Sequence, residues 1–141
     1  MRMTAEEYRL LNTGNPPKYR NKPTERVTGS GNTIRFDSQK EAGRYDELML
    51  MLEGGFIKEL RIHPAYTLQE PYTTPGGGRV KRETFTADFS YVKGEWPYAD
   101  EETRRWTPVV EDVKSKATKT QAYKLRKNRM MERYGIAVTE V

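Results

Sequence analysis

Residues 109–130 read VVEDVKSKATKTQAYKLRKNRM, and the fold turns on how this stretch is divided. Its first six residues alternate as a strand does. Val110, Asp112 and Lys114 share one face, and Val109, Glu111 and Val113 share the other. The remainder is basic and helix-forming. Thr118 and Gln121 have the spacing of a capping box, so a helix is expected to run to Tyr134 and stop before Gly135. A short strand, IAVTEV (136–141), follows. Strand, helix and strand in that order put the last strand parallel to the first, through a right-handed crossover.

Upstream, VKRETFTADFSYV (80–92) reads as a long strand. Phe85, Ala87, Phe89 and Tyr91 fall on one face, and Thr84, Thr86, Asp88 and Ser90 on the other. FIKELRIHPAYTLQ (56–69) is a strand bent or interrupted at His63-Pro64, since proline cannot donate to a ladder. EPYTTPGGGR (70–79) is a turn-rich connection. KGEWPYADEETRRW (93–106) is a polar hairpin loop whose Trp96, Tyr98 and Trp106 either pin it or offer faces for base stacking. Before these strands, in IRFDSQKEAGRYDELMLMLEGG (34–55), Ser38 is expected to cap a helix ending at Gly54-Gly55. Ala42, Tyr45, Leu48, Met49 and Leu52 form its apolar stripe. The order is helix, three strands, helix, strand: an α+β domain with a mixed central sheet. TAEEYRLLN (4–12) reads as a separate short helix with Thr4 and Glu7 as a capping box. Residues 12–32, rich in Asn, Pro, Gly and basic side chains, read as an extended arm. Residues 1–33 are thus an N-terminal helix and basic arm, and residues 34–141 the main domain.

The composition narrows the chemistry. At 141 residues, with 32% charged and 35% hydrophobic side chains, the chain supports one modest core under a polar surface. A net charge of +5 suits a polyanionic partner. The absence of cysteine excludes disulfides, thiolate nucleophiles and zinc–thiolate sites. The single histidine, His63, argues against a histidine cage or a Ser-His-Asp triad, and beside Pro64 it reads as a packed side chain rather than a base. No apolar run is long enough to span a membrane and no signal peptide opens the chain, so a cytoplasmic protein is expected. Any catalysis must rest on carboxylates and lysines.

Those groups form a constellation. Asp88 interrupts a strand just before a hairpin, and Asp112 and Lys114 lie on the strand expected to pair with it. Glu41 lies in the apolar stripe of the first long helix, one turn before Tyr45. Adjacent carboxylates repel unless a cation lies between them, and hard oxygen donors suit Mg²⁺ or Mn²⁺. Such an ion serves phosphodiester hydrolysis, with Lys114 beside the attacking water. Each residue also has a plainer reading. Glu41 could be the return partner of Ser38 in a capping box, and Gln121 that of Thr118. Lys18, Arg20, Lys22 and Arg26 on the arm are placed to grip phosphates or simply to be solvated. So are Lys116 and Lys119 in the connection, and Lys124, Arg126, Lys127, Arg129 and Arg133 on the second helix.

Taken in order, FDSQKEAGRYDEL, TFTADFSYV and VVEDVKS resemble the PD-(D/E)xK nuclease superfamily. The resemblance is closest to a small phage-borne family within it, and it covers residues 18–141. It implies an αβββαβ core and makes residues 34–141 a nuclease domain. It also implies Asp88 and Asp112 as metal ligands, Lys114 as the catalytic lysine and Glu41 as the additional acid on the first core helix. Ala87 stands where the superfamily's name has proline. The activity implied is an Mg²⁺- or Mn²⁺-dependent DNA endonuclease. Relatives that resolve Holliday junctions make branched DNA the leading substrate, in a bacterial cell carrying a phage or prophage. Symmetric cutting of a junction would call for a homodimer, although no residue here specifies one. A non-catalytic DNA-binding protein, with the same acids and lysine as structural ion pairs, is the alternative.

Overall fold

The computed structural model describes residues 23–113 and 120–141. The chain divides into two units, residues 1–39 and 40–141. In the first unit, β1 (Thr24–Val27) and β2 (Thr33–Phe36) form an antiparallel hairpin, with Thr24 opposite Phe36 and Val27 opposite Thr33. The turn is closed by Thr28 N–H to the Asn32 carbonyl (2.8 Å) and by Gly31 N–H to the Thr28 carbonyl (2.9 Å). Gly31 supplies the positive φ of 87° at that turn. The expected extended arm is therefore corrected over residues 24–32. TGSGN is a hairpin turn, and the short alternating segments beside it pair with each other. The helix expected at 4–12 lies outside the described residues.

Helix α1 (Gln39–Glu53) leads into the second unit and buries Glu41, Ala42, Tyr45 and Leu48. It ends where Gly54 N–H reaches the Leu50 carbonyl (3.0 Å) and Phe56 N–H the Met51 carbonyl (2.9 Å), with Gly55 at φ 77°. The long strand at 56–69 is two strands, β3 (Ile57–Ile62) and β4 (Ala65–Gln69), separated by His63-Pro64. A small hairpin, β5 (Tyr72–Thr73) with β6 (Arg79–Val80), occupies the Gly-rich connection. The strand at 80–92 is likewise divided, into β7 (Glu83–Thr86) and β8 (Phe89–Gly94). Then come β9 (Trp106–Asp112), α2 (Gln121–Tyr134) and β10 (Thr139–Glu140).

The central sheet has the order β10-β9-β8-β3. β8 is antiparallel to both β3 and β9, and β10 runs parallel to β9, as the intervening helix requires. The protein is thus α+β, with a mixed sheet and two helices among the described residues. The breaks in the two long strands face each other. His63 N–H donates to the Asp88 carbonyl (2.9 Å), and Ala87 N–H donates to the Pro64 carbonyl (3.0 Å). Beyond the break, β4 pairs with β7 in a separate two-stranded ladder.

This double break corrects the single face expected for Phe85, Ala87, Phe89 and Tyr91. Phe85 and Ala87 join Leu68, Val110, Tyr123, Met130 and Val138 in one core. Phe89 instead lies opposite Glu111 in the register, and the Tyr91 hydroxyl donates to Glu111 Oε2 (2.8 Å). Val110 and Glu111 are neighbours on one strand and so point to opposite faces. Helix α2 covers the Val110 side, and α1 reaches the Glu111 side through Arg44. A second correction concerns the cap of α2. Thr120, not Thr118, is the N-cap: its hydroxyl accepts the Tyr123 N–H at 3.1 Å, leaving Gln121 as the first helical residue. Gly135 closes the helix in the left-handed conformation. Neither described helix is long and apolar enough to cross a membrane.

Candidate metal centre

The double break determines where Asp88 goes. Freed from the ladder, its carboxylate accepts the Val113 N–H through Oδ2 at 2.6 Å, just past the end of β9. Its own N–H donates to Asp112 Oδ1 at 3.0 Å. Strands β8 and β9 therefore bring the two aspartates together through side chain-to-backbone bonds as well as through their register. Asp112 is only 2% exposed. Burial pushes the Tyr123 phenol pKa up, and the charges of Asp112 and Glu140 and a hydrogen bond to Asp112 raise it further. The phenol keeps its proton and stands beside the Asp112 carboxylate on the α2 side.

From the other direction, the first turn of α1 delivers Glu41, 5% exposed. His63 stands in the break between β3 and β4 at a positive φ of 52°, and its Nε2 lies 2.7 Å from Glu41 Oε1. One ligating atom each from Glu41, His63 and Asp88 falls within 4.8 Å of the others. Two carboxylates and an imidazole so close together match the donors of a divalent cation, and a cation relieves the repulsion between the acids. Asp112 adjoins this group through the Asp88 N–H.

Residues 17–139 match a family described as a protein of unknown function, DUF1064. The chain belongs to that family. No curated protein and no solved structure matches it. In this DUF1064 chain, Glu41 and Asp88 converge, with Asp112 directly behind Asp88. Lys114, Lys116 and Lys119 lie outside the described residues, as do Lys18, Arg20 and Lys22. Arg26 is in β1, where its Nη1 donates to the Glu25 carbonyl at 3.0 Å. Lys124 is exposed on α2, whereas Lys127 Nζ donates to Glu140 Oε1 at 2.6 Å. Gln121 is exposed at the helix start, on the residue after the cap.

The sequence reading missed three features. His63 is not a packed side chain but an exposed one held against Glu41. Its signal was the His-Pro pair inside a strand pattern, which marks a place where backbone leaves the ladder. The second feature is the clamp on Glu111, which is 1% exposed. Arg44 donates from Nε to Oε1 (2.6 Å) and from Nη2 to Oε2 (3.0 Å), and Tyr91 completes the set. This clamp fixes β9 from one face, and Asp112 lies on the other. The third is Arg104, buried in the loop after β8. Its guanidinium donates to the Glu95 and Gly55 carbonyls and lies over the Tyr98 and Trp106 rings at 4.0 and 4.5 Å. The loop is thus held by a cation among its aromatics, while Trp96 remains 68% exposed.

Proposed function

We propose that the protein is a metal-dependent DNA endonuclease that hydrolyses phosphodiester bonds, with branched DNA such as a four-way junction as its preferred substrate. The observation that carries this reading is the convergence of Glu41 and Asp88, with Asp112 behind them, at the open end of the paired strands β8 and β9. Glu41 and Asp88 supply carboxylate oxygens to Mg²⁺ or Mn²⁺. Asp112 orients Asp88 through the backbone N–H and is the next donor available. When bound, the ion lowers the pKa of water and stabilises charge on the phosphate. Lys114, two residues beyond Asp112 in the sequence, holds or deprotonates the attacking water. A net charge of +5 draws the polyanion without reading its bases.

Lys114→Ala tests the assignment. One lysine among 25 basic residues adds little to a diffuse attraction for phosphate, whereas a group acting only in the transition state controls turnover. Cleavage should be abolished and DNA affinity kept. If Lys114→Ala and Asp88→Asn both cut DNA as well as the parent, these residues are structural and the protein is a binder on the same fold.

A further inference from the structure

We infer that His63 is a metal ligand, and that its ring nitrogen makes the site prefer a first-row transition ion such as Mn²⁺ over Mg²⁺. The inference rests on the metal-site reading above and adds a ligand and an ion class to it.

Three observations carry it. The first is distance. Donors about 2.1 Å from a six-coordinate ion are about 3 Å apart when adjacent and about 4.2 Å apart when opposite. His63 Nε2 and Glu41 Oε1 are 2.7 Å apart, and the Glu41, His63 and Asp88 donors all lie within 4.8 Å of one another. Small side-chain adjustments suffice to share an ion. The second is the backbone. His63 adopts a left-handed φ of 52° directly before a proline, a conformation that costs a side chain of its kind on the order of 1 kcal/mol. Its backbone N–H bond to the Asp88 carbonyl (2.9 Å) holds the two residues side by side, so that both side chains start from adjoining backbone. The third is access. Glu41 is buried, but the His63 side chain is 39% exposed, so the cluster opens to solvent on the imidazole side.

Donor chemistry then selects the ion. Carboxylates suit Mg²⁺, Ca²⁺ and Mn²⁺ alike, whereas a neutral imidazole adds affinity for first-row transition ions and little for Mg²⁺ or Ca²⁺. Mg²⁺ loses its water reluctantly and gains little from a nitrogen donor. Mn²⁺ accepts both donor types, so His63 adds affinity for Mn²⁺ that it does not add for Mg²⁺.

The test is Mn²⁺ binding to the intact protein without DNA, followed by electron paramagnetic resonance and calorimetry, with Mg²⁺ as competitor. Wild-type protein should bind Mn²⁺ at least ~10-fold more tightly than Mg²⁺, and His63→Ala should lose most of that difference. His63→Asn tolerates a left-handed φ and offers an oxygen, so it should keep the fold and Mg²⁺ binding yet lose the Mn²⁺ preference. Equal affinity of the wild type for the two ions would overturn the inference, as would unchanged Mn²⁺ affinity in His63→Asn or His63→Ala. The nuclease reading fails separately. A His63-dependent Mn²⁺ preference in a protein that cuts no DNA upholds the ligand and ends the nuclease. DNA cleavage with metal affinity indifferent to His63 does the reverse.

Discussion

A buried carboxylate has to be fully partnered, and Glu111 shows what this entails for a single residue. Arg44 and Tyr91 together give its two oxygens three hydrogen bonds. Replacing Arg44 with Met would leave a buried charge without its counter-ion. The expected loss is about 3–5 kcal/mol of stability in urea denaturation, with a smaller loss for Glu111→Gln. Tyr91 adds a pH signature. Burial, followed by its bond to Glu111, pushes its pKa up to about 12 from 10.0. The folded state then keeps a proton that the unfolded chain releases. The stabilisation is fully present below pH 10 and is lost as pH rises toward 12, by about 2–3 kcal/mol in all. Tyr91→Phe should flatten that alkaline loss, as read by denaturation at pH 9 and pH 11.5. None of this was legible in the sequence. Arg44 and Glu111 are 67 residues apart, and no local pattern connects them. The nearness of Asp88, Asp112 and Glu41 was legible because Glu41 falls in an apolar stripe and the two aspartates fall on strands expected to pair. His63 was not, because a histidine beside a proline has an ordinary explanation that only its position across from Asp88 removes.

At the scale of elements, alternation and capping signals located most strands and both described helices, while the breaks depended on long-range pairing. The interruption at His63-Pro64 could be read from proline chemistry. Its counterpart at Ala87-Asp88 could not, because that strand breaks only where it meets the first break. The hairpin at 24–36 was obscured by its Gly- and Asn-rich turn, which resembles a loop until the flanking segments are seen to pair. The choice between Thr118 and Thr120 as cap depended on which hydroxyl reaches a helical N–H. Thr120→Ala should accordingly cost about 1 kcal/mol in a thermal melt. The loop after β8 makes a sharper prediction. A Cβ on Gly94 would lie 2.5 Å from Arg104 Nη2, so Gly94→Ala must displace the guanidinium that holds the loop. Overpacking of this kind costs about 1–3 kcal/mol, and Arg104→Ala combined with Gly94→Ala should recover part of the clash term.

For the whole molecule, the excess of positive charge is the property that acts at a distance, and the structure shows that some of it is already committed. Lys127 is paired with Glu140, and Arg129 with Glu83. Binding to duplex DNA should weaken steeply with salt, and each lost phosphate contact should lower the log–log slope by about 0.9. Lys124→Ala should reduce that slope more than Lys127→Ala, because Lys124 is exposed and Lys127 carries an internal bond. Fluorescence anisotropy across a salt series checks this. If the carboxylates gathered at the strand break make a metal-dependent phosphodiesterase, DNA cleavage must follow the metal. The most direct test is to incubate the protein with supercoiled plasmid and with a four-way junction, in Mg²⁺ or Mn²⁺ and separately in EDTA, with Asp88→Asn run alongside. Cleavage is expected with the metal, none in EDTA and none by Asp88→Asn, the junction being cut faster than linear duplex. Cleavage that survives EDTA or Asp88→Asn, or intact DNA in every lane despite tight binding, would contradict that reading.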